Sequence, residues 1–319
     1  METSIIIPTC RRPHSLRRVL EGIVRQTANQ ERYEVLVIDN GCDDATSQVV
    51  EIFKDRIRYV QCLTESRPGL HAARNHGTRA ARAEILMFAD DDIIPFPAWI
   101  ETVQETFLAH PETVLVGGKS LPLYESDPPT WIHDLWEDIP YGKVNGWFSL
   151  IDLGADIKPI PADLVYGCNF SIRKEIVERC GGFHPDALPW NLKHLRGDGE
   201  THVSRWIEAR GLLCMYHPEA SVQHVIGEER MNWDYLCRRA FLQGISDSYS
   251  ATRTNPALLH RLPLILRRVL YVVSRNVLRR GKRARRHWLH YIHGMLWHQY
   301  IVSRDVEMRR WVMKEVYDR

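Results

Sequence analysis

No stretch of this chain approaches the roughly 20 consecutive apolar residues that a bilayer-spanning helix needs, so a transmembrane protein is not expected. No two of its seven cysteines (Cys10, Cys42, Cys62, Cys168, Cys180, Cys214, Cys237) form a Cys-x-x-Cys pair, and their number is odd. A disulfide framework is therefore not expected in a chain of 319 residues, and a reducing compartment is. The opening METSIIIPTC turns polar too soon for a signal peptide, which points to a cytoplasmic location. No Gly-x-Gly-x-x-Gly follows the first apolar run, which speaks against a dinucleotide-binding dehydrogenase. Internal repeats and low-complexity segments are also missing. Between Asp247 and Asp305 there is no Asp or Glu at all, although the whole chain carries a net charge of only +2. The acids concentrate earlier, so the two ends of the chain face different partners.

What is present is a core-forming composition, 44% hydrophobic, long enough for one large domain or two modest ones. The first half alternates short apolar runs with helical patterns. Ser4–Ile7 ends at Pro8, Glu34–Ile38 ends at Asp39-Asn40-Gly41, and Ile57–Cys62, Ile85–Phe88 and Val114–Gly117 follow as further strands. Between them Leu16, Leu20 and Ile23 recur at helical spacing, as do Val49, Val50 and Phe53 after a cap at Asp43 or Asp44. Leu70–Ala83 is an Ala-rich helix, and Ile100, Val103 and Phe107 mark another. Strands alternating with helices predict an α/β fold with a mainly parallel sheet. From Lys119 to Asp163 the pattern loosens into proline-containing loops with Trp131, Trp136, Trp147 and Phe148. Helices are expected near Arg173–Cys180 and Glu200–Arg210, and throughout the chain beyond Trp233.

Three adjacent acids, Asp90, Asp91 and Asp92, stand directly after the Ile85–Phe88 run. Ligands of parallel α/β sheets bind at the carboxyl ends of strands. Clustered carboxylates repel one another unless a cation or hydrogen bonds neutralise them. A hard divalent cation such as Mn²⁺ or Mg²⁺ does this and bridges a diphosphate as well; the competing use is a solvated acidic turn. Asp39 also ends an apolar strand, where it either forms a turn with Asn40 and Gly41 or accepts hydrogen bonds from a base or ribose. At Arg67–Gly77 a glycine turn leads into a helix bearing Arg74, which suits phosphate recognition or an ordinary helix start.

The ordered series IPTCRRP (Ile7–Pro13), VLVIDNGCDD (Val35–Asp44), RPGLHAARNHG (Arg67–Gly77) and FADDDIIP (Phe88–Pro95) resembles glycosyltransferase family 2. YGCNFSIRKEIVERCGGF (Tyr166–Phe183) is similar to that family's second half, so the resemblance covers about Ser4–Arg230. It implies a nucleotide-binding GT-A fold in residues 1–230, followed by a helical region, 231–319. It further implies inverting, metal-dependent transfer from a nucleotide diphosphate sugar, UDP by default, to a hydroxyl of a glycan or lipid-linked acceptor. Pro8, Thr9, Arg11, Asp39, Gly69 and Arg74 would line the nucleotide side of the site. Asp90, Asp91, Asn169 and Arg230 would meet the diphosphate or donor sugar. Asp92, Asp90 and His224 (in VQHVIGEER) would serve the Mn²⁺ or Mg²⁺. For the catalytic base two countings differ in GDGETHVSRWIEARG (Gly197–Gly211): from Gly211 it is Glu200, from Arg205 it is Asp198. Both carboxylates precede the helix; Glu200 is preferred.

Two other readings compete. An Asp-x-Asp phosphohydrolase normally has Thr or Val after its second acid and opens its domain with that motif, whereas Ile93 stands here after three earlier strands. A non-catalytic nucleotide- or glycan-binding protein on the same fold has no need of the carboxylates at 90–92, 198 and 200. In the tail, Leu262, Leu266, Val269, Leu270, Val273 and Val277 share a helical face, with Arg267, Arg268, Arg275 and Arg279 mostly elsewhere. RRGKRARRHW (Arg279–Trp288) adds positive charge near Trp288 and Trp297. This pattern across 261–300 suits peripheral docking on an anionic membrane surface. Packing on the catalytic domain or across a homodimer are its competing uses, and nucleic acid is not an expected partner because no binding motif accompanies the charge.

Overall fold

The computed structural model describes residues 1–274 and 282–317. They form two compact units, Met1–Phe183 with Glu200–Gly227 and His184–Gly199 with Glu228–Tyr317. The first unit holds an eight-stranded sheet in the order Lys158–Pro159, Leu213–Tyr216, Thr113–Gly117, Asn169–Arg173, Ile85–Ala89, Thr3–Thr9, Tyr33–Asp39, Val60–Thr64. Pairing is parallel except around Asn169–Arg173, which runs antiparallel to both neighbours, and at the edge strand Lys158–Pro159.

Side chains alternate across a strand, and here both faces are covered. Ile5, Ile7, Val35, Val37, Met87 and Ala89 enter one core with Leu16, Leu20, Val50, Phe53, Trp99 and Val103 from three helices. Ile6, Leu36, Ile38, Leu86 and Phe88 enter the opposite core with Ala73, Ile176, Val177, Val203 and Ile207. That double burial is why these strands read as unbroken apolar runs. Each fully buried Ile, Leu or Phe among them contributes about 1.5–3 kcal/mol. Asp43 caps the helix Asp44–Phe53 by accepting from the Ala45 amide. The third strand lies at Val60–Thr64, later than the expected Ile57–Cys62; Ile57 instead packs below it in the core.

The stretch expected as loops supplies four of the six strands of a second sheet, ordered Ile93–Pro95, Val222–Ile226, Ser120–Tyr124, Leu150–Asp152, Gly142–Asn145, Glu137–Ile139. Its strands are short and several are half exposed, so they carry little hydrophobic periodicity.

The second unit is helical, with Trp233–Thr254, Leu258–Val272, Lys282–Arg304 and Val306–Val312. Arg275, Val277 and Arg279, named above for the basic amphipathic face, lie outside the described residues. No helix among the described residues is long and apolar enough to cross a membrane. Inside this unit a hydrogen-bonded chain runs through the core. Arg261 Nε donates to Gln299 Oε1 (2.8 Å), Gln299 Nε2 donates to Ser248 Oγ (2.8 Å), and Ser248 Oγ reaches His298 Nδ1 (2.7 Å). Ser248 Oγ can donate to or accept from His298 Nδ1, so this contact serves either tautomer of a neutral ring. Burial, reinforced by the Arg261 charge, pushes the His298 pKa down to about 3. The unfolded chain binds a proton at this residue below about pH 6.5 while the folded chain does not, so stability falls as the pH drops. Between pH 7 and 5 His298 is expected to remove about 2 kcal/mol of stability, and His298→Asn flattens that difference. Urea melts of both forms at the two pH values measure it; equal losses would show that His298 does not titrate on unfolding.

Candidate active site

All the residues that follow, except where the second unit is named, belong to the first unit. The parallel strands Thr3–Thr9, Tyr33–Asp39 and Ile85–Ala89 end side by side, so Thr9, Asp39 and the acids after Ala89 emerge at one sheet edge. Asp91, the middle acid, is buried, accepts from Thr9 Oγ1 at 2.7 Å and is paired with Arg12. Burial pushes its carboxyl up to about 7, against the pull of Arg12. Arg12 also reaches Asp92 Oδ2 at 3.3 Å. Sequence reasoning selected its neighbour Arg11, which is exposed and adopts a left-handed backbone (φ 55°).

Asp92 faces His224. His224 Nδ1 lies 2.7 Å from the Phe148 carbonyl, and Nε2 lies 3.2 Å from Asp92 Oδ1. A carbonyl only accepts, so Nδ1 carries the proton and Nε2 turns a lone pair toward a carboxylate oxygen unless the ring takes a second proton. Two acceptors at that distance would be reconciled by a cation between them, and this nitrogen–oxygen pair would suit Mn²⁺ or Mg²⁺. Asp90 does not join them: it is turned to Arg74. Among the described residues no set of three or more His, Cys, Asp or Glu side chains is gathered around a metal position. The trio Asp90, Asp92 and His224 is thus not brought together as one ligand set.

Arg74 is the hub of the other half of the site. Its side chain, 2% exposed, donates to Asp90 Oδ1 (2.9 Å), to the Gly167 carbonyl (2.9 Å) and to Glu200 Oε2 (3.3 Å). The Gly167 amide donates to Glu200 Oε1 at 3.3 Å. A Cβ at Gly167 would stand 2.6 Å from Arg74 Nη2 and 2.8 Å from Glu200 Oε1, so a larger residue there displaces the ends of both side chains. Glu200 precedes the helix Thr201–Glu208, and its side chain is 28% exposed. Asp198 belongs to the second unit and is used there. It accepts from Ser250 Oγ (2.6 Å) and pairs with the fully buried His184 (2.8 Å).

The remaining selected residues are placed as follows. Asp39 is buried and accepts from its own turn, the amides of Gly41 (3.0 Å) and Asp43 (2.8 Å). Asn40, not selected, ties that turn to the next loop through the Glu65 and Arg67 carbonyls and the Gly69 amide. Gly69 has φ 117°, a left-handed entry to the helix Leu70–Ala80 that favours glycine. Asn169 is buried with its amide on Trp99 Nε1 and the Ala220 carbonyl, a packing role inside the sheet. Pro8 lies within the first strand. Arg230 sits in the second unit, where its Nε donates to the Tyr235 hydroxyl.

Residues 4–181 match the family described as Glycosyl transferase family 2. The chain belongs to that family. It is a glycosyltransferase of the kind that uses nucleotide-sugar donors, on the α/β fold expected. It is 24% identical over 248 residues to a glucosyl-dolichyl phosphate glucuronosyltransferase of Haloferax volcanii, covering 77% of this chain and 76% of the relative. A validoxylamine A glucosyltransferase of Streptomyces hygroscopicus subsp. limoneus is 28% identical over 202 residues, 59% of this chain and 45% of that one. In fold it is similar to the mannosyltransferase PcManGT of Pyrobaculum calidifontis, solved with GDP-Man and Mn²⁺, at a TM-score of 0.55 and 18% identity over 98% of this chain and 84% of that one. Residues 1–349 of S. aureus TarS, solved with UDP, give a TM-score of 0.51 at 12% identity, covering 98% of this chain and 90% of that one. For this family 2 transferase, Arg12 and Asn40 are candidate site residues that sequence reasoning did not select.

Proposed function

We propose that this transferase performs a single inverting displacement, moving a sugar from a nucleoside diphosphate sugar onto a hydroxyl of a lipid-linked or other glycan acceptor. The observation that carries the proposal is the Arg74 hub, which joins Asp90, after the central strand, to Glu200, before the helix Thr201–Glu208. Glu200 is the general base: its carboxylate is reachable from solvent, whereas Asp198 is enclosed by His184 and Ser250. As the acceptor oxygen bonds to the anomeric carbon, its proton passes to Glu200 and the bond to the diphosphate breaks. Asp92 and His224 Nε2 would hold the Mn²⁺ or Mg²⁺, which when bound offsets the charge on the departing diphosphate. The lipid-linked acceptor class is favoured by the Haloferax relative, whose name specifies a dolichyl phosphate glucoside. We assign the catalytic machinery to residues 1–230 and leave 231–319 outside the chemistry.

Incubation with a panel of UDP-, GDP- and dTDP-sugars and Mn²⁺ or Mg²⁺, without acceptor, is expected to give slow metal-dependent release of the diphosphate from one donor. Asp92→Ala removes that release. Neither release nor metal-dependent nucleotide binding with any donor would overturn the proposal. Once an acceptor is found, the anomeric configuration of the product, read by NMR, tests inversion.

A further inference from the structure

The helix Leu258–Val272 of the second unit is turned against its own sequence pattern. Leu262, Leu266 and Leu270 recur every four residues, the spacing of a stripe that would normally enter a core. They are instead 49%, 59% and 59% exposed, and Leu264 and Tyr271 are exposed as well. Facing inward are Ile265, Val272 and the side chain of Arg261, whose guanidinium is held by Gln299 and by the Asn255 and Pro256 carbonyls. A helix that buries an arginine and offers four leucines and a tyrosine to water is matched to an outer medium that is not water.

The surroundings specify that medium. Residues 248–304 contain twelve arginines and lysines and no acid. Arg267 stands on the exposed face itself, between the leucine stripe and Tyr271. On the helix Lys282–Arg304, Leu289, Leu296 and Tyr300 are also exposed along one face, with exposed Arg286 and Arg304 at its ends. Apolar side chains framed by cations, on helices too short or too polar to span a bilayer, fit the plane of an anionic membrane interface. A second copy of the chain would bring these like charges together. A nucleic acid would meet the arginines and leave the leucines in water.

We propose that this face docks the transferase on an anionic lipid surface, with Leu262, Leu266 and Leu270 inserted among the acyl chains and the arginines over the headgroups. The inference does not depend on the catalytic assignment, because its readout needs no sugar donor. The full chain is floated with vesicles of phosphatidylcholine alone or mixed with phosphatidylglycerol. Binding to the mixed vesicles is expected, with little to the neutral ones and a decline as salt is raised. Leu262→Ser/Leu266→Ser/Leu270→Ser weakens it about tenfold or more, while circular dichroism and acceptor-free donor turnover stay at the wild-type level. Arg267→Glu weakens binding and lessens its salt dependence. Equal binding by the wild type and the triple variant would overturn the proposal, as would binding indifferent to lipid charge. A wild-type dimer in sedimentation that becomes a monomer in the triple variant, with no vesicle binding by either, would overturn it in favour of self-association.

Discussion

Glu200→Gln is expected to lower kcat for sugar transfer by about two to four orders of magnitude while changing the dissociation constant of the nucleoside diphosphate only a few-fold. Glutamine keeps the length of the side chain and an oxygen for the Gly167 amide, but it removes the proton-accepting carboxylate together with its charge beside Arg74. Asp198→Asn makes the opposite case. Asp198 is wedged between His184 and Ser250, so its substitution is expected to lower the melting temperature more than it lowers turnover per folded molecule. Parallel measurement of kcat, nucleotide affinity and thermal stability in the two variants decides the base. A folded Asp198→Asn protein that has lost turnover, beside a Glu200→Gln protein that retains it, would exchange the two assignments.

Arg74→Ala carries the second large effect. The guanidinium is almost fully buried and serves two carboxylates and a carbonyl at once. Its loss leaves Asp90 and Glu200 without their shared cation and the Gly167 carbonyl without its donor. Breaking a well-buried ion pair costs about 3–5 kcal/mol, and the partial exposure of both acids lowers this to roughly 2–3 kcal/mol. Turnover is expected to fall by at least about a hundredfold, mainly through kcat, because the base loses its anchor before any donor contact is lost. Arg74→Lys restores the charge but not the fork that reaches three partners, so it recovers stability better than rate. A variant with wild-type kcat and a raised KM for the donor would instead make Arg74 a nucleotide-binding residue, the role that the family resemblance suggests.

The fold was legible where burial is two-sided and illegible where it is not. Ile5–Ile7, Val35–Ile38 and Leu86–Phe88 feed cores on both faces, so apolar runs marked them directly. The second sheet uses strands such as Glu137–Ile139, mostly in contact with water, and no periodicity betrays it. Asn169–Arg173 reads as a polar–apolar mixture because Asn169 and Ser171 are buried polar residues, the former satisfied by Trp99 and Ala220. At the site, the acids at 90–92 were legible from their place after a strand. Which of two adjacent arginines faces them was not: Arg11 and Arg12 are chemically identical, and the left-handed backbone at Arg11 sends Arg12 toward Asp91. Arg74 was selected for a nucleotide, and its ties to Glu200 and Gly167 span 126 and 93 residues of sequence, beyond the reach of any local pattern.

The antiparallel strand Asn169–Arg173 is the keystone between Ile85–Ala89 and Thr113–Gly117, and it is made late. During synthesis the Ile85–Ala89 strand waits with an open edge for about eighty further residues, on the order of ten seconds at roughly 5–20 residues per second. An open, apolar strand edge is an adhesive surface. The nascent first unit therefore exposes that edge until the chain doubles back, and the acids at 90–92, which directly follow that strand, acquire their setting only when it does.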